Sequence, residues 1–427
     1  MEPILKIGIV SDSQCYDVRE DWGMSNLAKA LKILSPKNPE IIIMPGDLAD
    51  LGEYPGAFTL YKELCKEYFP TAEPLQIACA GNHDLWGRDR NIPGNMEFLF
   101  KRFCEKMEIP HENPYHTVIK GYDFITLSEN INCNYTPELI GKLAVELKSA
   151  AERDAEKPIF VISHFPPANT MSGSWNKAGK EALRELFNQY PQVISISGHT
   201  HYPLEDERCI WQDGFTAFTT STLSYGCVAE NLFNVCNSIV PFAREAVQAL
   251  YMEVFADHID IHRYNVEDFC EIKPDKVWSF ALPYDPANPE YGIEKRSAGR
   301  TAPAFPANAE FVLRYDYGFV YAVFEAAKHD DFVQYYRIEA ARKDENGVYR
   351  TVKSVDYISD FYRLKCNQAK RMFFKLPDDM LIAGEVHKIS IYAIESFGKM
   401  SAPITLERLI PADWKFRKIE ENIMPQE

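Results

Sequence analysis

The chain has 427 residues, of which 25% are charged and 46% hydrophobic, a balance that excludes a disordered or fibrous protein. Its length fits two domains better than one. The formal net charge of -16, without a lysine- or arginine-rich run, argues against a nucleic acid partner. Small phosphorylated substrates stay compatible with this charge, because bound metal ions can supply positive charge locally.

The amino-terminal sequence runs directly into a strand-like segment and shows neither a basic region before a long apolar stretch nor a cleavage site. No run approaches the ~18 apolar residues of a membrane span. The ten cysteines form no CxxC pair, so we expect buried free thiols. We therefore expect a cytoplasmic protein without membrane association, provided that no leader precedes this sequence, and the oligomeric state stays open.

Short apolar runs predict buried strands, and several are separated by segments with helical periodicity. The predicted strands are residues 5–10, 41–44, 77–80, 124–127, 158–162 and 193–197. The predicted helices are residues 24–34, 57–67, 96–106, 137–151 and 178–188, with Thr136 as N-cap of the fourth. This alternation predicts a layered α/β domain with helices on the outer faces of the sheets.

After Phe215 the pattern changes toward strands, and residues 249–255 and 258–264 predict a hairpin that closes a first domain of residues 1–272. Six prolines between 273 and 307 predict an extended connection without regular structure. From 308 to 427, aromatic and β-branched segments between turn signals predict a small all-β sandwich followed by a tail. Within it, residues 389–403 resemble the final strands of a fibronectin type III module.

Five short polar blocks each follow a predicted strand, where loops at the carboxyl ends of strands can converge on one crevice. They are Ser11-Asp12-Ser13-Gln14, Gly46-Asp47-Leu48-Ala49-Asp50, Gly81-Asn82-His83-Asp84, Ser163-His164 and Gly198-His199-Thr200-His201. Carboxylates, imidazoles and amide oxygens in this number suit two divalent metal ions. Two cations about 3.5–4 Å apart would bind a phosphoester, generate a nucleophilic hydroxide and stabilise the charge of in-line displacement.

The order and spacing of these blocks resemble the calcineurin-like metallophosphoesterase superfamily, whose pattern is DxH, GDxxD, GNH[DE], an isolated His and GHxH. The resemblance covers residues 5 to about 265 and implies a four-layer αββα sandwich. It implies that Asp47 bridges two metal ions, that His83 is the general acid or a transition-state stabiliser, and that Asp50 orients a protonated His83. The implied ligands are Asp12, Asp47 and His201 for one ion, and Asp47, Asn82, His164 and His199 for the other.

One position departs from the family pattern, since Gln14 stands where the family usually has the histidine of DxH. An amide oxygen can coordinate a metal, but it is a harder and weaker donor than imidazole. A direct ligand role and a role through water or a neighbouring ligand are both open for Gln14. We expect manganese or iron in this protein rather than tightly held zinc.

Several aromatic residues, one proline and one arginine follow the motif blocks closely and are candidates for lining a substrate pocket. They are Tyr16, Trp86, Arg88, Phe165, Pro166, Trp175 and Tyr202. Aromatic side chains would suit a flat apolar group on the phosphate, and Arg88 could clamp two phosphate oxygens. Aromatic packing beneath the loops is an equally open interpretation.

The leading hypothesis is metal-dependent hydrolysis of phosphomonoesters or phosphodiesters of small molecules. A degenerate phosphoesterase that acts as a binding or interaction protein is the alternative, motivated by Gln14 and by the fibronectin-like segment. His83 together with Asp50 favours the enzyme, because a scaffold that only binds needs no acid for a leaving group. The motifs do not separate monoesters from diesters, and the acidic charge disfavours a nuclease.

Overall fold

The computed structural model describes residues 2–88, 95–129, 134–174, 179–228, 239–316 and 318–416. These residues form two compact units, the first reaching Arg296 and the second beginning at Ser297. Trp175 and Ala178, as well as Cys133 and Cys236, lie outside the described residues. We describe each unit by itself.

The first unit is built from strands and helices that alternate along much of the chain. Its strands are β1 (Leu5–Ile9), β2 (Ile41–Pro45), β3 (Leu75–Cys79), β4 (Tyr115–Ile119), β5 (Tyr122–Leu127), β6 (Ile159–Ser163), β7 (Val193–Ser197), β8 (Ile210–Gln212), β9 (Thr216–Thr219), β10 (Gln248–Val254), β11 (His258–Asn265), β12 (Cys270–Glu271) and β13 (Trp278–Ala281). Its helices are α1 (Trp22–Leu34), α2 (Pro55–Tyr68), α3 (Asn95–Met107), α4 (Pro137–Arg153) and α5 (Lys180–Phe187), and α6 (Ile293–Ser297) lies at its end.

These strands form two sheets that face each other. The first has the order β12-β11-β10-β1-β2-β3, with β13 also paired to β11, and the second has the order β4-β5-β6-β7-β9-β8. Strands β2 and β3 contact β5 and β6 across the interface. Helices α1 to α3 pack on the outer face of the first sheet, and α4 and α5 pack on that of the second. This arrangement is the predicted four-layer αββα sandwich.

Local capping explains where two of the predicted helices begin. The Asp21 carboxylate accepts a hydrogen bond from the Met24 N–H at 3.0 Å, so α1 starts at the next residue, Trp22. Thr136 caps α4 through a 3.2 Å bond from the Leu139 N–H, and a proline occupies the first helical position. The predicted N-cap at Thr136 is therefore confirmed.

The predicted hairpin exists, but the first unit does not end there. Strands β10 and β11 pair antiparallel, and β13 then pairs with β11 inside the segment for which we expected no regular structure. That expectation was wrong because the prolines at 274 and 283 flank the strand rather than interrupt it. At one end of β13 the Trp278 indole is buried, and its N–H donates to the Glu207 carboxylate at 2.9 Å.

The second unit is an antiparallel β-sandwich, as the sequence predicts. Its strands are β14 (Phe311–Asp316), β15 (Phe319–Glu325), β16 (Tyr335–Lys343), β17 (Tyr349–Ile358), β18 (Arg371–Lys375), β19 (Val386–Ile394) and β20 (Ile404–Leu409). They form sheets of order β14-β15-β18 and β17-β16-β19-β20. Ala322, Ile338 and Ile391 belong to one buried apolar cluster to which both sheets contribute. Fibronectin type III modules share this sandwich architecture.

Two expectations about the whole chain can be compared with the described residues. None of their helices is both long and apolar enough to cross a lipid bilayer. The eight described cysteines are all free thiols, and five of them are buried as expected, whereas Cys227 and Cys270 are partly exposed and Cys366 is exposed.

Candidate metal centre

All five motif blocks lie at the carboxyl ends of strands in the two facing sheets. The block with Asp12 and Gln14 follows β1, and the blocks with Asp47 and Asn82 follow β2 and β3. In the second sheet His164 follows β6, and the block with His199 and His201 follows β7. Parallel strands end at the same edge of a sheet, which is why residues far apart in sequence meet there.

One group of side chains is arranged as a metal site around the Asp47 carboxylate. One ligand atom each from Asp47, His164 and His199 lie within 4.8 Å of one another. The Nε2 atom of His164 lies 3.1 Å from Asp47 Oδ2 and also 3.1 Å from Asn82 Oδ1. The four ligands implied for one metal ion therefore stand together in the structure.

A second group lies around Asp12. The Nε2 atom of His201 is 3.1 Å from Asp12 Oδ1. Gln14 is only 7% exposed, and its side chain lies close to that of Tyr225. The Gln14 N–H donates to the Asp47 carbonyl at 3.0 Å, so the loops that carry the two groups are joined by main-chain hydrogen bonds.

Hydrogen bonds to main-chain carbonyls orient two of the imidazoles. Nδ1 of His164 is 2.8 Å from the Pro45 carbonyl, and Nδ1 of His201 is 2.9 Å from the Tyr225 carbonyl. A carbonyl only accepts, so Nδ1 carries the hydrogen and Nε2 is left for a metal ion. Together with the carboxylates and the Asn82 amide oxygen, this donor set fits two divalent ions.

The charges of the group around Asp47 favour metal binding. Burial disfavours the ionised form of Asp47. The charges of His164 and His83 outweigh this effect and hold the pKa of Asp47 below its usual range. Burial opposes the charged form of His164 as well, yet the Asp47 and Glu129 carboxylates raise its pKa well above normal. Burial and the His164 charge hold the pKa of His199 well below normal. A proton on His164 would compete with a metal ion for Nε2.

Four of the six implied ligands, and Gln14 as well, have left-handed backbone conformations, which residues other than glycine rarely adopt. Each such conformation costs on the order of 1–3 kcal/mol and persists where the surrounding structure holds it, often at functional sites. The φ angles are 52° for Asp12, 46° for Gln14, 55° for Asp47, 63° for His199 and 51° for His201.

Two glycines of the motif blocks allow the loops to approach each other closely. A Cβ atom at Gly81 would lie 2.3 Å from Asp47 Oδ1, and one at Gly198 would lie 2.5 Å from Asp12 Oδ2. Any larger residue at these positions would push against a carboxylate of the metal site.

Asp84 supports the site, a role that we did not assign from the sequence. Its buried carboxylate accepts hydrogen bonds from the N–H groups of Asp47 at 2.8 Å, Ala49 at 2.9 Å and Gly81 at 3.0 Å. Burial and the nearby Asp47 charge raise the pKa of Asp84 to about 7. The acidic residue that ends the GNHD block was the available signal, and it joins the loops after β2 and β3.

His83 is held by Asp50, but through a different group from the one we expected. Nδ1 of His83 donates to the main-chain carbonyl of Asp50 at 2.7 Å, whereas the Asp50 carboxylate lies 3.8 Å away. The Trp86 ring packs against the imidazole with 4.6 Å between centroids. The carbonyl therefore fixes the ring, and the carboxylate adds a nearby negative charge.

The candidate substrate residues have different environments. Tyr16 is 46% exposed, and the charge of Asp50 raises its pKa. The Arg88 side chain is largely exposed, with Nε 3.6 Å from Glu53. Tyr202 is fully buried, so its expected place in an open pocket was wrong.

The buried position of Tyr202 has a clear structural cause. Its hydroxyl accepts a hydrogen bond from Arg208 at 3.0 Å, which fixes the side chain in the interior. Phe165 and Pro166 are also buried, and the Phe165 ring lies 3.8 Å from that of His199. These residues pack beneath the loops, the alternative that the sequence left open.

Two further residues near the site carried no recognisable sequence signal. Tyr225 follows β9, and its ring lies 4.5 Å from that of His201. Glu129 follows β5 and is 3% exposed, and among the described residues neither of its carboxylate oxygens has a hydrogen-bond partner. Burial raises the pKa of Glu129 to about 8.

The αββα fold and the candidate ligands at its strand ends are those expected of a metallophosphoesterase domain. Residues 5–203 match the model of the family described as calcineurin-like phosphoesterase. All five motif blocks lie within this range. No curated protein matched the chain by sequence.

Solved structures that are similar to this chain include two phosphatases. A dimetal phosphatase from Danio rerio is 12% identical, and the match covers 66% of this chain and 100% of that chain with a TM-score of 0.45. A purple acid phosphatase from yellow lupin seeds is 16% identical, and the match covers 66% of this chain and 54% of that chain with a TM-score of 0.47.

Proposed function

We propose that this protein hydrolyses phosphomonoesters or phosphodiesters of small molecules with two bound metal ions, for which manganese or iron is favoured over zinc. The observation that carries the proposal is the position of the Asp47 carboxylate, which lies among His164, His199 and Asn82. The loop that bears it is hydrogen-bonded to the loop that bears Asp12 and Gln14. A carboxylate in this place suits a bridge between two ions.

The metal ions, when bound, supply the positive charge that draws in a phosphoester and activate the attacking water. The side chains divide into two ligand sets, with Asp47 common to both. Asp12 and His201 belong to one set, and Asn82, His164 and His199 belong to the other. Gln14 would complete the first set through its amide oxygen while the Tyr225 side chain holds it.

His83 is the proposed general acid for the leaving group. Its Nδ1 is committed to the Asp50 carbonyl, so Nε2 is the atom that would deliver a proton. The ring is partly buried, with 22% of the side chain exposed, which lets it meet a substrate while its orientation stays fixed. The Asp50 carboxylate lies 3.8 Å from the same Nδ1 atom.

The substrate is proposed to be small rather than a nucleic acid. The chain carries a formal net charge of -16, and this charge opposes the approach of a long polyanion. Tyr16 and Trp86 lie next to Asp50 and His83 and are the aromatic residues that we propose to contact the alcohol part of the substrate.

The test combines elemental analysis with hydrolysis of p-nitrophenyl phosphate and bis(p-nitrophenyl) phosphate in the presence of Mn²⁺. Wild type should bind two metal ions and cleave at least one ester, and Asp47→Ala should lose both metal and turnover. His83→Ala should keep the metal and lose about 10²–10⁴-fold in kcat. Asp257→Ala, at the exposed turn between β10 and β11, is the matched control.

Full activity in Asp47→Ala would refute the metal mechanism. The ratio of the two rates in wild type assigns the protein as monoesterase or diesterase. Absence of both metal and cleavage, together with specific binding of a protein or glycan, would favour the degenerate binding protein instead.

A further inference from the structure

A cavity of about 220 Å³ lies between the first turns of α3 and α4, beside the loop that carries His83. Its lining is apolar on one part and polar on another. The apolar part includes Leu85, Met96, Phe100 and Leu139, and the polar part includes Asn113 and Glu129. A small organic group with one polar end would match this division.

Glu129 differs from the other carboxylates of this cavity because it has no partner among the described residues. The Glu97 carboxylate lies 3.2 Å from His111, and that of Glu138 lies 2.8 Å from Lys142. Glu129 is 3% exposed, and both of its oxygens lack a hydrogen bond. The charges of His164 and Lys180 offset the burial of this carboxylate only in part, so the position is suited to a ligand that brings a hydrogen-bond donor.

The cavity and the candidate metal centre share the loop after β3, since Leu85 of this loop lines the cavity. Ser128, which precedes Glu129, accepts a hydrogen bond through Oγ from the Ala80 N–H at 2.9 Å. Ala80 lies two residues before Asn82, and Leu85 of the cavity lies two residues after His83. The Glu129 carboxylate also contributes to the electrostatic field at His164. The loop that bears His83 therefore also forms part of the cavity lining through Leu85.

We propose that this cavity receives the alcohol part of the phosphoester and that Glu129 binds an ammonium group on it. The inference rests on the proposed function and narrows its substrate class to phosphoesters of small amino alcohols. A charge-assisted hydrogen bond from an ammonium group would satisfy the Glu129 carboxylate, while Leu85, Phe100 and Leu139 contact the methylene groups. A purely apolar alcohol would leave the carboxylate buried without a partner.

The experiment compares wild type with Glu129→Gln, which keeps the shape of the side chain and removes its charge. Glu152→Gln, at an exposed position of helix α4, is the charge control. Ethanolamine phosphate, glycerol 3-phosphate and phenyl phosphate serve as substrates with Mn²⁺ present. Binding of ethanolamine alone is measured by calorimetry, which does not depend on turnover.

The ratio of kcat/KM for ethanolamine phosphate to kcat/KM for phenyl phosphate should be about tenfold or more lower in Glu129→Gln than in wild type. The decrease should come mainly from a higher KM for ethanolamine phosphate. Ethanolamine affinity should fall by a similar factor, and Glu152→Gln should change neither quantity. Circular dichroism and the melting temperature establish that Glu129→Gln is folded.

An unchanged ratio and unchanged ethanolamine affinity in folded Glu129→Gln would overturn the subsite. A wild-type preference for glycerol 3-phosphate over ethanolamine phosphate would overturn the ammonium assignment. If wild type cleaves no ester but binds ethanolamine, and Glu129→Gln binds ethanolamine more weakly, the proposed function fails and the amine subsite stands.

Discussion

The carboxylate of Asp84 accepts a hydrogen bond from the backbone N–H of Asp47 at 2.8 Å, and thereby holds the proposed bridging ligand in its left-handed conformation. Replacement of Asp84 by Ala would leave three buried N–H groups without an acceptor. At about 1–3 kcal/mol for each, the free energy of unfolding should fall by about 3 kcal/mol or more. Manganese affinity should fall about 10–100-fold, because the loop is no longer fixed.

Thermal unfolding and metal titration of Asp84→Ala measure both effects. Asp154→Ala is the control, since the exposed Asp154 carboxylate also accepts backbone hydrogen bonds, at 3.1 Å from Glu156. Asp154→Ala should lower the free energy of unfolding by less than about 1 kcal/mol. Equal losses in the two variants would mean that Asp84 has no special relation to the metal site.

The position of Gln14 predicts how metal preference can be changed. Gln14→His restores an imidazole beside Asp12 and His201, and imidazole is a better zinc ligand than an amide oxygen. Zinc retained after dialysis against a chelator should increase, with affinity rising about tenfold or more. Gln14→Ala should instead lower occupancy of one of the two ions. Identical metal content in all three proteins would show that residue 14 does not contact a metal ion.

The main-chain carbonyl of Asp50 lies closer to His83 than its carboxylate does, so removal of the carboxylate charge should affect catalysis less than removal of His83. Asp50→Asn preserves the main-chain carbonyl that holds Nδ1 at 2.7 Å and removes only the charge at 3.8 Å. We expect kcat to fall less than about tenfold, compared with about 10²–10⁴-fold in His83→Ala. Steady-state kinetics with saturating Mn²⁺ compare the two. An equal loss in Asp50→Asn would assign the orienting role to the carboxylate after all.

Glu207 explains why the first unit extends beyond the predicted boundary. Its carboxylate accepts hydrogen bonds from Trp278 at 2.9 Å, Lys273 at 3.0 Å and Arg263 at 3.2 Å. Glu207→Ala would leave the buried Arg263 guanidinium without a carboxylate partner. The free energy of unfolding should therefore fall by about 3–5 kcal/mol. Hydrogen exchange in the β13 peptide should accelerate strongly, whereas exchange in β7 should change less.

The same contacts predict a dependence on pH. Burial opposes ionisation of Glu207, but Arg263 and Lys273 outweigh it and lower its pKa from 4.5 to about 2. Because the folded state binds the proton less tightly than the unfolded state, this stabilisation is present above pH 4.5 and is lost as the pH falls toward about 2. Glu207→Gln should remove this part of the acid sensitivity, as pH-dependent unfolding of the two proteins would reveal.

The first unit shows which features a sequence pattern can predict. The strands before the motif blocks are largely apolar, and β2 is apolar and buried along its whole length, so its position follows from composition alone. The blocks follow these strands directly, and the parallel pairing of β1 with β2 and of β6 with β7 brings them together. The meeting of these blocks at one edge could therefore be predicted from the sequence, whereas the assignment of ligands to each ion followed from the family resemblance and stays a prediction.

The features that could not be predicted depend on contacts between distant segments. Tyr225 reaches Gln14 and His201 only because the loop after β9 returns to the loop after β1, where the Thr222 hydroxyl donates to the Asp12 carbonyl at 3.0 Å. Glu129 resembles any acidic residue after a strand until its burial is known. Strand β13 has only four residues and lies between prolines. Its alternation of buried and exposed residues is therefore too short to predict a strand from the sequence.

A buried histidine in the second unit predicts a separate response to acid. His387 is fully buried, and its Nε2 accepts a hydrogen bond from the Ile382 N–H at 3.4 Å, while Nδ1 faces the Glu385 carbonyl at 3.4 Å. Both contacts require the neutral ring with the hydrogen on Nδ1, because a proton on Nε2 would oppose the Ile382 N–H. Burial lowers the pKa of His387, and the Arg342 charge adds to this effect.

The folded second unit therefore binds a proton at His387 less readily than the unfolded chain, whose histidine titrates at about 6.5. The stability of this unit should be unaffected by His387 above about pH 6.5 and should decrease as the pH falls below that value. Hydrogen exchange of the β19 amides at pH 7.5 and 5.5, corrected for the intrinsic rate, measures the change, with the β7 amides as internal reference. His387→Gln keeps a side chain that can accept a hydrogen bond and does not titrate, so its β19 protection should vary less with pH. If wild type and His387→Gln respond identically, the acid sensitivity of the sandwich has another source.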